Sequence, residues 1–532
     1  MIHKTASHSA CCEVQFFKLN TLIHKRFCVK SDRKDTGRRR RKRDIMEREQ
    51  FKSRLGFIFV SAGCAIGLGN VWKFPYMAGR YGGGVFILFY LLFLLLLATP
   101  IMVCEFAVGR AAGKSTAKSF DMLEPKGTRW HRLKWLGIAG NYLLMMFYST
   151  VAAWVIYYAV HFALGSFEGA DTQAVTAFYE NMTGSPATLL VWTWIVVALG
   201  FFICGRGLQN GVERSSTLMM SGLLIIMVLL AANSLFMDGA EEGVRFYLLP
   251  DFSKIRELGL GNIIYGAMSQ SFFTLSVGMG GMSIFGSYLK KEQSLAGEAV
   301  VISALDTFVA LMAGMIIIPA CFAFDIEPTA GPPLIFMTLP NIFVNLPAGR
   351  LVGTAFFIFL SFAALTTIIG VYENIISYGM DLFGFSRRQS TRINAAAMAV
   401  LVLPCIFGFN LLKGIEPLGA GSTIMDAEDF LVSNNLLPLG AMVYVLFCTA
   451  RCGWGWKAFI KEADTGKGMK FPAGLRGYMA LFVPLIISVI YLKGYYDMFV
   501  TRGTGLFIFW MCVAAAFLLF IFLTSSVFRK KS

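Results

Sequence analysis

Two stretches of this chain set glycine beside hydroxyl and amide side chains inside otherwise apolar runs. Gly63-Cys64-Ala65-Ile66-Gly67-Leu68-Gly69-Asn70 holds three glycines and an Asn in eight residues, and Thr274-Leu275-Ser276-Val277-Gly278-Met279-Gly280-Gly281 holds three glycines and two hydroxyls. A lone carboxylate, Asp306, interrupts Ser303-Ala304-Leu305-Asp306-Thr307-Phe308-Val309. Glycines break a helix at about 1 kcal/mol each, and a broken helix releases carbonyls and amides from their i→i−4 bonds. Freed carbonyls, hydroxyls and a carboxylate are the oxygen donors a small hard cation needs. This is binding chemistry, and the signs of a catalytic centre are missing. Three of the five His precede residue 25, and the eleven Cys show no C-x-x-C or Cys/His spacing.

The elements that must position these residues are transmembrane helices. Apolar residues make up 56% of the 532 and charged residues 15%, against roughly 45–50% and about 25% in soluble domains. Mean hydropathy is +0.62. Apolar runs of about 20 residues recur, each long enough to cross ~30 Å of hydrocarbon. We read twelve spans, at 56–78, 83–108, 135–165, 187–204, 216–236, 260–287, 297–323, 350–381, 392–411, 428–449, 477–494 and 505–525. The segments following even-numbered spans hold 23 Lys and Arg, and the others hold few. Basic residues accumulate on the cytoplasmic side, so both termini are expected there, in a multi-pass protein of the plasma (inner) membrane.

The net charge of +16 does not mark a nucleic-acid binder, because +9 of it lies in residues 1–45. That segment reads as a basic tail, either an anionic-lipid patch, a dispensable extension, or sequence upstream of a start at Met46. Residues 46–525 form the expected membrane domain, followed by a short C-terminus at 526–532. The glycine-rich breaks fall in the first and sixth spans. An offset of five reverses orientation, so residues 56–236 and 260–449 can form a 5+5 inverted repeat, with 477–525 adding two helices. Paired interrupted helices at matching repeat positions point to a substrate and ion site at the membrane midplane. Close helix packing alone accounts for some of these glycines.

Six ordered motifs then resemble one family. They are Arg54-Leu55-Gly56; Gly67-Leu68-Gly69-Asn70-Val71-Trp72-Lys73-Phe74-Pro75 with Gly82-Gly83-Gly84; Pro100-Ile101 through Glu105 and Gly109-Arg110; Gln270 through Ser276; Ala363-Ala364-Leu365-Thr366-Thr367; and Asp426 through Phe430. From about Arg48 to the end the chain is similar to the neurotransmitter:sodium symporter family, in its compact prokaryotic amino-acid-carrying form. The resemblance implies the leucine-transporter-like fold, with helices 1 and 6 unwound at the midplane, and two sodium sites. One takes the carbonyls of Gly63, Ile66 and Ala363 with the hydroxyls of Thr366 and Thr367. The other takes the Ala65 carbonyl, Asn70, Thr274 and Asp306, completed by the substrate carboxylate. The implied substrate pocket comprises Ala65, Gly67, Leu68, Gly69, Tyr148, Phe273, Thr274, Ser276, Met279, Thr367 and Val371.

Departures from the family pattern refine these expectations. Asp306 stands where Asn is commoner, and Ala310 replaces the Ser with which chloride-dependent relatives bind the anion, alongside residues matching Tyr90, Gln270 and Thr274. A fixed carboxylate supplies the negative charge, so chloride independence is expected. Gly67 replaces the Asp by which monoamine carriers hold an amine, which favours an α-amino acid. The apolar remainder, with flexible Met279, suits a hydrophobic side chain, up to bulky or aromatic ones. Lys73 and Asp429 are the expected outer gate, Lys73 replacing a bidentate Arg. Arg48 with Asp381, supported by Ser287 and Tyr288, is the expected inner gate. Gly211 is present in the fifth span, but Ser221-Gly222 stand where the family often has Pro. The expected function is sodium-coupled import of a hydrophobic L-amino acid by alternating access. The alternatives are a non-transporting amino-acid sensor on the same fold and a carrier for small neutral amino acids. Lipid, not nucleic acid, is the expected macromolecular surround.

Overall fold

The computed structural model describes residues 49–326 and 334–525, and among them every regular element is helical. Two isolated bridges, Gly83 with Pro250 and Gln293 with Lys467, are the extended pairings among these residues. The first apolar run is not one helix. α1 (Arg54–Ala65) stops at Ile66, whose backbone is extended, and α2 (Gly69–Arg80) restarts as a π-wound turn at an angle of 60° to α1. The later long helices are α3 (Gly84–Ala112), α5 (Trp130–Leu164), α6 (Pro186–Gly205), α7 (Leu208–Leu235), α10 (Leu295–Ala323), α11 (Gly349–Phe383), α12 (Arg387–Gly408), α13 (Ile424–Thr449), α14 (Ala473–Phe499) and α15 (Thr504–Ser525). Between α3 and α5 lies the short α4 (Thr116–Leu123).

By length and composition, ten helices among the described residues can cross a membrane, and α1 with α2 makes an eleventh if counted as one bent span. The run expected as the sixth span, 260–287, is α8 (Leu260–Thr274) and α9 (Gly281–Ser287), with non-helical residues 275–280 between them. Ser276, Gly278 and Gly280 all have positive φ there, which explains glycine at 278 and 280; Ser276 takes this conformation at φ 48° without glycine's freedom. The fifth span starts earlier than hydropathy suggests, because Leu208–Glu213 are π-wound into its N-terminus. The segment 166–186, between the expected third and fourth spans, contains a helix at Thr172–Gly184, capped by the Asp171 side chain.

The interior is built around α5 and α11, which pack along each other and against α1, α6 and α7. Tyr158 and Phe162 of α5 meet Phe357 of α11. Tyr372 stacks on Phe201 at 4.0 Å and donates or accepts a bond with the Ser149 hydroxyl at 2.9 Å. The outside is apolar as well. Leu218, Ile225 and Leu229 of α7 and Phe509, Leu519 and Leu523 of α15 are exposed, where a water-facing helix would carry charge. A helix apolar on all sides is solvated by lipid.

Candidate functional site

The break between α1 and α2 creates the site. A Gly63 carbonyl in a continuous helix would accept from the Gly67 amide. Here that amide turns to Asn70 Oδ1 at 3.3 Å, so the Gly63 carbonyl is released. It points instead at the Thr367 hydroxyl of α11, 3.2 Å away, which also lies 3.2 Å from the Ile66 carbonyl and 3.2 Å from the Ala363 carbonyl. One hydroxyl has one hydrogen, so three carbonyl oxygens converge on a group that can satisfy one of them. The Thr366 hydroxyl, one residue back, donates within α11 to the Phe362 and Ala363 carbonyls at 2.9 and 3.0 Å. The surplus of buried oxygen acceptors is the arrangement a hard cation fills.

A second oxygen cluster lies on the other side of the break. Asn70 Nδ2 donates to Asp306 Oδ1 at 2.8 Å and to Thr274 Oγ1 at 3.0 Å, and Thr274 donates in turn to Asp306 Oδ2 at 2.7 Å. Tyr90 reaches the same Thr274 oxygen at 3.4 Å. All four side chains are fully buried. Both polar atoms of the neighbouring Gln270 amide are buried without a hydrogen-bond partner. A carboxylate at this depth is costly unless charge or hydrogen bonds offset it; its two oxygens have the two donors just named.

Between the clusters and the C-terminal part of α2 lies a cavity of about 300 Å³. Ala65, Gly67, Leu68, Gly69, Tyr148, Phe273, Ser276, Met279 and Thr367 line it, as do Lys73 and Asp429. The Leu68 amide donates to the Tyr148 hydroxyl at 3.1 Å. Gly67 faces both: a Cβ there would stand 2.7 Å from the Tyr148 oxygen and 2.9 Å from the Thr367 hydroxyl. Two residues expected in the pocket are not among its lining. Thr274 is drawn away by its bonds to Asp306 and Asn70, and Val371 is one turn too far along α11, buried in the core. Trp72 and Asp426, quoted above only within motifs, also line the cavity, and Leu144 and Val151 of α5, Tyr76 of α2, and Met425 and Val432 of α13 line it without having been singled out in sequence. They are ordinary apolar or surface-type residues, and nothing in their spacing marks them.

The expected gates take particular forms. Lys73 places its ammonium 3.6 Å from the centre of the Phe273 ring, a cation–π contact, and the Asp429 carboxylate accepts from Ser433 at 2.7 Å. The Lys73–Asp429 ion pair is not formed, although both charges border the same cavity. Arg48 lies outside the described residues. Asp381 accepts from the Ser115 amide at 2.8 Å and hydroxyl at 2.7 Å and pairs with Lys114 at 3.2 Å. Ser287 donates to the Ile284 carbonyl. Tyr288 donates to Glu373 at 2.6 Å, and Glu373 forms a two-pronged ion pair with Arg387 at 2.7 and 2.8 Å. Neither Glu373 nor Arg387 was singled out in sequence, though a buried carboxylate in an apolar run is itself a signal. The same signal marks Glu105 of α3, which accepts the Gly278 amide hydrogen in the α8–α9 break.

Comparison with known proteins agrees with this geometry. The sequence profile of the sodium:neurotransmitter symporter family matches residues 48–169 and 177–529. An uncharacterised sodium-dependent transporter of Bacillus subtilis, YhdH, is 33% identical over 444 residues, covering 84% of this chain and 97% of that one. An uncharacterised sodium-dependent transporter of Methanocaldococcus jannaschii is 32% identical, covering 75% and 81%. The crystal structure of MhsT in complex with L-phenylalanine superposes with a TM-score of 0.75 at 35% identity, covering 84% of this chain and all of that one. The family profile, the relatives and the superposed structure together make this chain a sodium-dependent transporter, not an enzyme. The chain belongs to the sodium:neurotransmitter symporter family, and its fold is that of the leucine-transporter-like carriers.

Proposed function

We propose that this protein imports a hydrophobic L-amino acid, with bulky and aromatic side chains accepted, by symport with two sodium ions and without chloride. The observation that carries the reading is the convergence of the Gly63, Ile66 and Ala363 carbonyls on the Thr367 hydroxyl, all at 3.2 Å. Sodium there would bind α1 to α11 across the helix break. The Asn70–Thr274–Asp306 cluster would hold the second ion with the Ala65 carbonyl and the substrate carboxylate. That shared ligand couples ion to substrate. The carboxylate would sit at the half-helix end beside Gly67, where backbone amides and the Tyr148 hydroxyl face it.

The side chain of the substrate would meet Leu144, Val151, Phe273 and Met279. A cavity of about 300 Å³ lies at the small end of ligand sites, roughly 300–1,000 Å³, which suits one amino acid. MhsT, whose structure holds L-phenylalanine, supports the aromatic end of the range. For chloride, Asp306 already supplies a negative charge at 2.8 Å from Asn70, and Ala310 offers no hydroxyl. The driving force is adequate. One sodium ion crossing ~100 mV releases about 2.3 kcal/mol, and a tenfold gradient adds about 1.4. Two ions therefore support roughly 10⁵-fold accumulation of a neutral solute.

The test is uptake of radiolabelled leucine, phenylalanine, tryptophan and alanine into proteoliposomes under an inward sodium gradient. Sodium-dependent accumulation that persists when gluconate replaces chloride is the expected result. Sodium-dependent binding without accumulation would mean a sensor, and uptake indifferent to sodium would remove the ion assignment.

A further inference from the structure

Met279 lines the cavity from the non-helical 275–280 segment, and α5 holds it from outside that segment. Its carbonyl accepts from Asn141 Nδ2 of α5 at 2.8 Å. The same nitrogen lies 2.6 Å from the Gly137 carbonyl and 2.9 Å from the Tyr378 hydroxyl. Two of these partners are carbonyls, which only accept, so the amide can be oriented one way alone, nitrogen toward Met279. Its oxygen then faces Asn374 Nδ2 of α11 at 3.0 Å. Asn374 donates, and its own oxygen is left buried without a partner. Asn141, Asn374 and Tyr378 are all buried.

The surroundings of Asn141 are shaped to the same contact. Gly137, Gly140, Asn141 and Leu144 lie on one face of α5. A Cβ on Gly140 would come within 3.2 Å of Met279 Cγ and Sδ, and one on Gly137 within 3.0 Å of its carbonyl. The two glycines let Met279 lie against α5, and Leu144 continues that face into the cavity. Asn374 sits two turns along α11 from Thr367. The amide chain Asn374–Asn141–Met279 therefore joins the helix that carries the cation-ready hydroxyl to the residue that bounds the substrate side chain.

We infer that Asn141 is a positioning residue for substrate size: by tethering the Met279 carbonyl, with Asn374 fixing its amide, it sets how far Met279 intrudes on the cavity. The inference rests on the amino-acid symport reading above. Without the tether, Met279 withdraws and discrimination against the largest side chains relaxes.

The test is the ratio of kcat/KM for tryptophan to that for leucine in sodium-driven uptake, measured for the unaltered chain, Asn141→Ala, Asn374→Ala, Met279→Ala and the Asn141→Ala/Met279→Ala double variant. Asn141→Ala is expected to raise the ratio about tenfold, equivalent to about 1.4 kcal/mol, mainly through KM for tryptophan and with the sodium half-saturation unchanged. Asn374→Ala should move the ratio in the same direction by less. In the Met279→Ala background the shift should vanish, since the side chain it controls is gone. A ratio unchanged in Asn141→Ala while both substrates lose uptake equally would overturn the inference, as would a full shift surviving in the Met279→Ala background. Should Asn141→Ala fail to reach the membrane, an unchanged ratio in Asn374→Ala would overturn it. Absent sodium-driven uptake by the unaltered chain would remove the symport reading and this inference with it; uptake with unaltered ratios would remove this inference alone.

Discussion

Thr367 shows how much one hydroxyl decides. Three carbonyls at 3.2 Å compete for its hydrogen, and an ion would satisfy all of them. Thr367→Val keeps the shape and removes the oxygen, so the sodium half-saturation for uptake should rise at least about tenfold, the scale of one lost buried polar contact. A variant that transported with normal sodium dependence would take Thr367 out of the ion site. Asp306 carries a different expectation. Asp306→Asn with Ala310→Ser removes the fixed charge and restores a hydroxyl, so uptake should become chloride-dependent; equal rates in chloride and gluconate would refute the charge argument. Asp306 stood out in the sequence as a lone carboxylate in an apolar run, whereas Thr367 was named through the family resemblance. Val371 did not behave as the resemblance implied, since one helical turn along α11 carries it off the cavity and into the core.

The two breaks are properties of elements, and their glycines are not interchangeable. Gly278 has φ +108°, and a Cβ on it would stand 2.1 Å from the Leu437 carbonyl. Gly440 faces it from α13, where a Cβ would meet the Gly278 carbonyl at 2.0 Å. Gly440 is helical, so its need is closeness alone. Gly440→Ala should therefore cost about 1–3 kcal/mol through overpacking, seen as a lowered midpoint of thermal unfolding in detergent. Gly278→Ala adds backbone strain to the same collision and should cost more; an unfolding midpoint matching the unaltered chain would show that α13 yields. That a break exists at 63–70 and 274–281 was legible from glycine density. Where the freed groups turn was not, because Glu105, Asn141 and Thr116 reach the second break from α3, α5 and α4, far off in sequence.

At the scale of the whole molecule, the two ends of the cavity are held differently. At one end Lys73 rests on Phe273 and Asp429 on Ser433, and under the proposed gating these charges meet in a closed state. Asp429→Ala should then slow substrate exchange severalfold while equilibrium binding changes little; wild-type exchange would exclude the pair from gating. At the other end Tyr288, Glu373 and Arg387 link α9, α11 and α12, and Glu213 of α7 caps the start of α1 through the Lys52 and Ser53 amides. None of these carboxylates announced its partner. The sequence by itself determined the apolar surround, most of the long helices and the positions where helices fail, because hydropathy and glycine density are local along the chain. It also determined the oxygen-bearing residues, through a resemblance carried by contiguous motifs. The resemblance already grouped Thr274 with Asp306; only the tertiary structure decided that Thr274 is turned away from the cavity, that Val371 lies in the core, and that an amide on α5 holds Met279. Those are distances between helices apart in sequence, by 32 residues for Thr274 and Asp306 and by 138 for Asn141 and Met279, set by how side chains of different helices fill one interior, and no local pattern encodes them.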